Sequence, residues 1–284
     1  MSTTGPRVVV DGLSFGESPR WHADRLWVCD WAAGEVLVAG DDGSTHVVAR
    51  VDSFPFCIDW SPAGELLVVT GDGRLLRGGR DDPGELEPVA DLTGLTDGTQ
   101  PYNEIAVDGA GRTFLDNIGY DMMAGQEPAP GFVAAVGRDG SVRRVADDLA
   151  FPNGMAFSPD GSTLIVAESH GGCLTAFDIG DDSSLSHRRV WADLGEGAPD
   201  GICVDAEGAV WYADVPHRSC VRVAEGGAVL DVVQLDRGGF SCTLGGPRGT
   251  TLFVVADHWG DDAAVATPTG QVVAVEVAVP GHIQ

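Results

Sequence analysis

PNGMAFSPDGSTLIVAE, residues 152–168, is a β-rich run, a Ser-Pro-Asp-Gly turn and a second β-rich run, and the chain carries six versions of this phrase. PDGICVDAEGAVWYAD (199–214) and PYNEIAVDGAGRTFLD (101–116) are close copies, PFCIDWSPAGELLVVT (55–70) and FSCTLGGPRGTTLFVVAD (240–257) keep the pattern, and ESPRWHADRLWVCD (17–30) is shorter. The first inward position of the copies reads Glu17, Phe56, Asn103, Asn153, Asp200 and Ser241, at spacings of 39, 47, 50, 47 and 41 residues. Apolar residues alternate in each run and a glycine-containing turn joins the two, which describes an antiparallel hairpin buried on every second residue. Hairpins recurring at this period are the mark of propeller blades. The expected fold is all-β: a six-bladed β-propeller with four antiparallel strands per blade, with residues 1–284 forming one domain.

Two further strands per blade follow each hairpin, for example EVLVAG then THVVARV, and CLTAFDI then RRVWADL. The sixth blade offers only QVVAVEVA after its inner pair, so the N-terminal RVVVDG is expected to supply its outer strand and close the ring. In a two-strand return the end of the second strand comes back to the mouth where the first began. The tails Asp30-Trp31, Thr70-Gly71, Asp116-Asn117, Glu168-Ser169-His170, Asp214-Val215-Pro216 and Asp257-His258-Trp259 are therefore expected to surround the six inward positions. GYDMMAGQEPAPGF (119–132) is expected to form a flap over that mouth, given its Met, Pro and Gly content.

Composition narrows the chemistry. All 17 basic side chains are arginine, so no lysine is present for a Schiff base or a P-loop, and mechanisms that depend on them are excluded. The net charge of -26 opposes binding to nucleic acid or an anionic membrane and is compatible with metal cations. No apolar run approaches the roughly 18 residues of a membrane span. The start, MSTTGPRVVVDG, lacks the charged and apolar regions of a secretory signal. Cys29, Cys57, Cys173, Cys203, Cys220 and Cys242 form no CxxC and several lie in apolar strands, so they are read as reduced thiols in a cytoplasmic protein. A small-molecule substrate and a monomer or small homo-oligomer are expected.

Hard divalent cations take carboxylate and amide oxygens, which Glu17, Asn153 and Asp200 offer from three blades, leaving positions open for water and substrate. Asn103 stands in the same ring as a fourth ligand or a substrate contact. Asp or Asn before glycine is also an ordinary turn former. Glu17 is not, yet it shares the phase.

The motifs GESPRW around Glu17, FPNGMAFSPDG around Asn153, APDGICVDAEGAVW around Asp200 and FSCTLGGPRGTTLFV around Ser241 resemble the SMP-30/gluconolactonase/regucalcin-like family across essentially the whole chain. That resemblance implies a metal in the channel held by Glu17, Asn153 and Asp200, most simply Ca2+, with Zn2+, Mn2+ or Mg2+ as alternatives. It implies hydrolysis of a lactone by metal-activated water, with Asp200 as ligand and general base and Asn103 near substrate. In the sugar-lactone members an arginine stands two residues before that asparagine and an acid eighteen after it. Here those positions are Pro101 and Asp121. Losing the arginine removes a planar multiple donor and favours a less polar substrate, with Phe56, Trp31, Trp259 and Met122-Met123 as candidate walls. Asn117 and His170 are further candidate substrate contacts, and His170 and His258 are alternative proton carriers. His22 and His217 are read as loop residues. The competing functions are lyase, isomerase or cyclase chemistry on the same scaffold, and calcium binding without catalysis.

Overall fold

Hairpins form where the turn residues satisfy their own backbone. Asp42, Asp139, Asp160 and Asp182 each accept a hydrogen bond from the amide of the serine two residues on, at 3.0–3.1 Å. At Asp108 and Asp205 the same device is stapled by arginine: Oδ2 of Asp205 accepts from Nε of Arg222 at 2.6 Å, and Oδ2 of Asp108 pairs with Arg112.

The computed structural model describes residues 5–40, 42–80, 82–98, 101–258 and 268–282. In chain order the strands are β1 (Arg7–Leu13), β2 (Gly16–His22), β3 (Arg25–Asp30), β4 (Glu35–Ala39), β5 (Thr45–Arg50), β6 (Phe56–Trp60), β7 (Leu66–Thr70) and β8 (Arg74–Gly78). They continue as β9 (Leu86–Asp91), β10 (Tyr102–Val107), β11 (Thr113–Asn117), β12 (Gly131–Val136), β13 (Val142–Leu149), β14 (Pro152–Phe157), β15 (Thr163–Glu168) and β16 (Cys173–Ile179). The last are β17 (Leu185–Asp193), β18 (Pro199–Val204), β19 (Val210–Asp214), β20 (Ser219–Val223), β21 (Val229–Gln234), β22 (Gly238–Gly245), β23 (Thr251–Asp257) and β24 (Gly270–Glu276). Five sheets are consecutive runs of four strands starting at β2, β6, β10, β14 and β18, here blades 1 to 5. Blade 6 is β22-β23-β24 completed by β1, which pairs antiparallel with β24 through Arg7↔Ala274 and Val10↔Val272. The fold is a six-bladed β-propeller, and terminus pairs with terminus as the sequence predicts. His22 ends β2 and stacks on Trp60 at 4.2 Å, so it is a strand residue and not a loop residue.

The core lies between blades. Val69 and Leu75 of blade 2 pack with Tyr102, Ile105 and Leu115 of blade 3, and Ile165 and Leu174 of blade 4 pack with Ile202, Val210 and Tyr212 of blade 5.

Near the axis the inner strands crowd together. A Cβ on Gly154 would lie 2.5 Å from the backbone O of Asp200 and the N of Ile202, and one on Gly201 would lie 2.6 Å from the Cα of Ser241. The glycines after Asn153 and Asp200 therefore serve blade-to-blade approach, and their φ values are not the reason for them. At the same level five inner pairs break register: between Glu17 and Arg20, Tyr102 and Ile105, Pro152 and Met155, Pro199 and Ile202, and Gly239 and Ser241. Such a bulge re-aims a side chain toward the axis. Blade 2 has none: Phe56↔Thr70 runs in unbroken register to Trp60↔Leu66.

Because Oγ, Cβ and Cα of Ser241 all face the added methyl at position 201, turning the serine hydroxyl away is not enough and relief needs a strand to move. Gly201→Ala is expected to destabilise the protein by about 2–3 kcal/mol in urea unfolding. Unchanged stability would mean that blades 5 and 6 are less tightly apposed than described.

Candidate active site

Five bulged strands bring Glu17, Asn103, Asn153, Asp200 and Ser241 to one end of the axis. Asn103 Nδ2 donates to Asn153 Oδ1 at 3.0 Å, across two blades. Asn153 also hydrogen bonds the Asp200 carboxylate, and Ser241 hydrogen bonds Glu17. Asn153 Nδ2 reaches Ser169 Oγ at 3.4 Å, and that hydroxyl donates to Pro199 O at 2.6 Å, fastening blade 4 to blade 5. Ser18 sits in the β2 bulge with a left-handed φ of 50°; its amide donates to Glu17 Oε2 at 2.6 Å and its hydroxyl accepts from the Ile58 amide at 3.0 Å.

Of the two ring carboxylates Glu17 is buried and Asp200 half-buried, and they repel one another. Burial pushes the Glu17 carboxyl up to about 8, Glu104 adds to this, and the Ser18 amide, Arg20 and Ser241 oppose it. Burial also pushes Asp200 well above the usual range, with Glu17 and then Glu104 adding repulsion. Arg20, deeper along β2, donates to Glu104 Oε1 at 2.8 Å, to Ile105 O at 3.1 Å and to Pro19 O at 3.1 Å. Its charge is thus committed below the ring.

Among the described residues no three His, Cys, Asp or Glu side chains converge as a metal-holding group. The ring has two carboxylates, and the remaining donors are amide oxygens. Two desolvated acids facing each other beside two carboxamides fit a hard dication, whose charge would offset the repulsion between Glu17 and Asp200. The residues that would hold it are Glu17, Asn153 and Asp200.

The other expected contacts divide. Phe56 is wholly buried among Cys29, Val36, Val51 and Val68. Without a bulge, regular alternation keeps its side chain in the core between blades 1 and 2, so packing accounts for it. Asn117 is buried and its Oδ1 accepts from the Gly119 amide at 3.0 Å, shaping the exit from β11. Asp121 Oδ1 accepts from the Ala124 amide at 2.9 Å and so closes its own turn. His170 lies at the surface, with Nδ1 3.3 Å from Tyr120 Oη and its ring 4.7 Å from Phe151. His217 pairs with Asp214 at 2.9 Å. Trp259 lies outside the described residues. Residues 119–130 lie between β11 and β12, and Met122 and Met123 are exposed.

Sequence reasoning missed Arg20, Glu104 and Asp59. Each is a charged residue in an inner hairpin where core is expected, and that misfit was the available signal. Asp116 is fully buried; its Oδ1 accepts from the Glu104 amide at 2.7 Å and braces the start of β10. Asp30 does the same for the entry to β2, accepting from the amides of Ser14 and Phe15 at 2.8 and 3.0 Å.

A six-bladed propeller with an acid- and amide-lined mouth is the class this geometry defines. The chain belongs to the SMP-30/gluconolactonase/LRE-like family, whose model matches residues 15–258. It is 26% identical over 261 residues to pentonolactonase XacC of Haloferax volcanii, which spans 83% of this chain and 86% of that one. It is 25% identical over 293 residues to the 6-deoxy-6-sulfogluconolactonase of Pseudomonas putida, covering 99% and 97% of the two chains. The crystal structure of a calcium-binding protein, regucalcin, from Agrobacterium tumefaciens shares the fold, with a TM-score of 0.81 at 22% identity over 99% of this chain and 96% of that one. At the level of the family, the relatives named as lactonases support a lactonase enzyme. Among the described residues no helix is long and apolar enough to cross a membrane.

Burial raises Asp59 to about 6 from an ordinary 3.8, opposed by Arg20 and by the amides of Trp60 and Val107. An acid with a raised folded-state pKa contributes its stability in full below its unfolded value and loses it as pH rises through the folded one. Asp59→Asn is therefore expected to shrink the fall in urea midpoint between pH 4 and pH 7. Equal falls in native protein and variant would overturn this account of Asp59.

Proposed function

We propose that the chain is a divalent-metal-dependent lactonase acting at the ring of Glu17, Asn103, Asn153 and Asp200. The observation that carries this is the pair of neighbouring acids in the ring, buried Glu17 and half-buried Asp200, hydrogen bonded to Ser241 and Asn153 respectively. Calcium is the first choice of ion, given two carboxylates, amide oxygens and a calcium-binding relative of the same fold. When bound, the cation supplies Lewis acidity toward an ester carbonyl.

The chain's own groups do the rest. Asp200 takes a proton from the attacking water, whose oxygen bonds to the acyl carbon. The ring C–O bond then breaks and the departing alkoxide recovers the proton, giving a hydroxy acid. A carboxyl with a raised pKa is the stronger base once ionised, and the hydrogen bond from Asn153 sets its direction. Asn103, joined to Asn153, flanks the reacting group. The hydroxy acid leaves as an anion from an acidic protein, which favours release. The partner is a small molecule, and nucleic acid and anionic membranes are disfavoured by the charge of -26. All six cysteines are free, which supports a cytoplasmic setting.

A lactone panel assayed with and without EDTA tests this reading. Turnover is expected to vanish on chelation and return with calcium. Calcium binding without turnover of any lactone would favour a purely binding protein. Asp200→Ala and Asn153→Ala are each expected to lower kcat/KM at least about 100-fold and to weaken calcium binding, with an unchanged β-sheet circular dichroism spectrum. Unaltered calcium affinity in both would remove the site assignment. Pro101→Arg places a guanidinium two residues before Asn103 and is expected to shift preference toward sugar lactones by about 10-fold. No shift would show that position 101 does not select substrate.

A further inference from the structure

We propose that the mouth of the ring site holds an apolar substituent of the substrate on an aromatic wall of Phe15, Trp31, Phe54 and Phe240, continuing into the groove between blades 1 and 2. This rests on the lactonase reading above and names the substrate class for it: lactones bearing an aliphatic or aryl side chain.

The four residues stand where the ring stands. Phe15 is two residues before Glu17, Phe240 adjoins Ser241, Trp31 follows the last residue of β3, and Phe54 lies two residues before β6. All are at the strand ends that carry the ring. Their side chains are in contact as one cluster, with Phe54 exposed, Phe15 and Trp31 half-buried and Phe240 buried behind Phe15. Phe15 stacks on Trp31 with centroids 5.4 Å apart and planes at 22°. Phe15 meets Phe240 edge-on at 5.3 Å, and Trp31 meets Phe54 edge-on at 5.5 Å. The backbone locks this arrangement: the Trp31 amide donates to Phe15 O at 2.8 Å, and the indole N–H donates to Phe56 O. With that N–H used, what Trp31 offers to a ligand is carbon. Phe54 is 48% exposed, an unusual state for a phenyl ring touching two other aromatic rings.

Beyond Trp31 and Phe54 lies a shallow open depression of about 570 Å³, lined by Ala32, Ala33, Gly34 and Val51 and edged by the polar Arg50, Asp52 and Ser53. The Arg50 guanidinium is paired with Glu35. The opposite side of the mouth adds hydrogen-bonding groups, Asn103 and the Tyr120 and His170 pair, the latter packed on Phe151. A ligand whose ester lies at the ring can therefore turn polar atoms toward blades 3 and 4 and its carbon chain toward blades 6, 1 and 2. A hydroxyl laid against the aromatic side would lose its water contacts without replacement, whereas each methylene placed there gains from burial.

The test uses γ-lactones with saturated side chains of increasing length, glucono-δ-lactone, and the matching alkyl γ-lactams as ligands that resist hydrolysis. For the native enzyme kcat/KM is expected to rise about 4-fold per added methylene until the groove is filled, and lactam Kd to fall in parallel. Phe54→Ala is expected to cut that increment to below about 2-fold, Phe54→Leu to retain most of it, and Val190→Ser, on the outer strand β17, to leave it unchanged. Preference for glucono-δ-lactone with no chain-length dependence would overturn the wall while leaving the lactonase reading intact. Lactam affinity that rises with chain length and depends on Phe54, without turnover of any lactone, would uphold the wall and overturn the lactonase reading. Absence of both effects would overturn both.

Discussion

Around the axis of blades 4, 5 and 6 the inner strands leave no space for a methyl group at Gly154 or Gly201. Most of the site follows from that crowding. Strands so close cannot all keep a regular pleat while also filling the middle of the ring, and the register breaks coincide with the ring positions in five blades. Each break turns one polar side chain toward the axis. The shared approach also lets donors from different blades meet, as Asn103 and Asn153 do at 3.0 Å although fifty residues separate them. Closure of blade 6 by β1 keeps the crowding in place, since a ring with a free edge could open to relieve it.

The same closeness sets the electrostatics. Glu17, Glu104, Asp116 and Asp200 lie close enough to repel one another, and Arg20, the cation that offsets Glu17, is already bonded to Glu104. Burying acids together is unfavourable unless they are protonated or met by positive charge. A fold that retains such a cluster carries a standing cost, and sites of this kind are where function concentrates. A cation that binds only the folded chain would turn the cost into stabilisation, because binding free energy adds to folding free energy. Site and fold are then linked through one charge balance.

The sequence disclosed the blades because a propeller repeats its hairpin, and it disclosed the closing strand because blade 6 was visibly one strand short. It disclosed five of the six ring positions because those residues share the repeat phase. Phe56 shares the phase too, and it ends in the core. A bulge is a change in hydrogen-bond register, and alternation of apolar residues does not record it. The glycines after Asn153 and Asp200 were visible as letters, yet their reason is the neighbouring blade, which no local window contains. Arg20 and Glu104 meet from positions 84 residues apart, so their pairing required the fold itself. The aromatic wall was legible only in part: Trp31 stood out as a strand tail, whereas Phe15, Phe54 and Phe240 sit just outside or at the very edge of the repeated phrase.

Within one family, ring and mouth are under different constraints. The ring draws its oxygens from bulged inner strands packed against one another, so its separations are set by the blades themselves. The mouth residues Phe15, Trp31 and Phe54 lie on segments between strands, where the backbone is free to differ, while Phe240 lies near the start of β22. Asp121 illustrates the difference. It occupies the position that family resemblance assigns to a substrate contact, but its carboxylate is hydrogen bonded to the Ala124 amide and shapes its own loop. With that acid turned inward and Pro101 offering no donor, blade 3 contributes less polar recognition than the sugar-lactone pattern supplies. Phe15, Trp31, Phe54 and Phe240 form carbon surface from blades 6, 1 and 2 beside the same ring. Ring and mouth of this chain therefore differ in kind: polar oxygens held on packed inner strands stand beside carbon surface held at the strand ends.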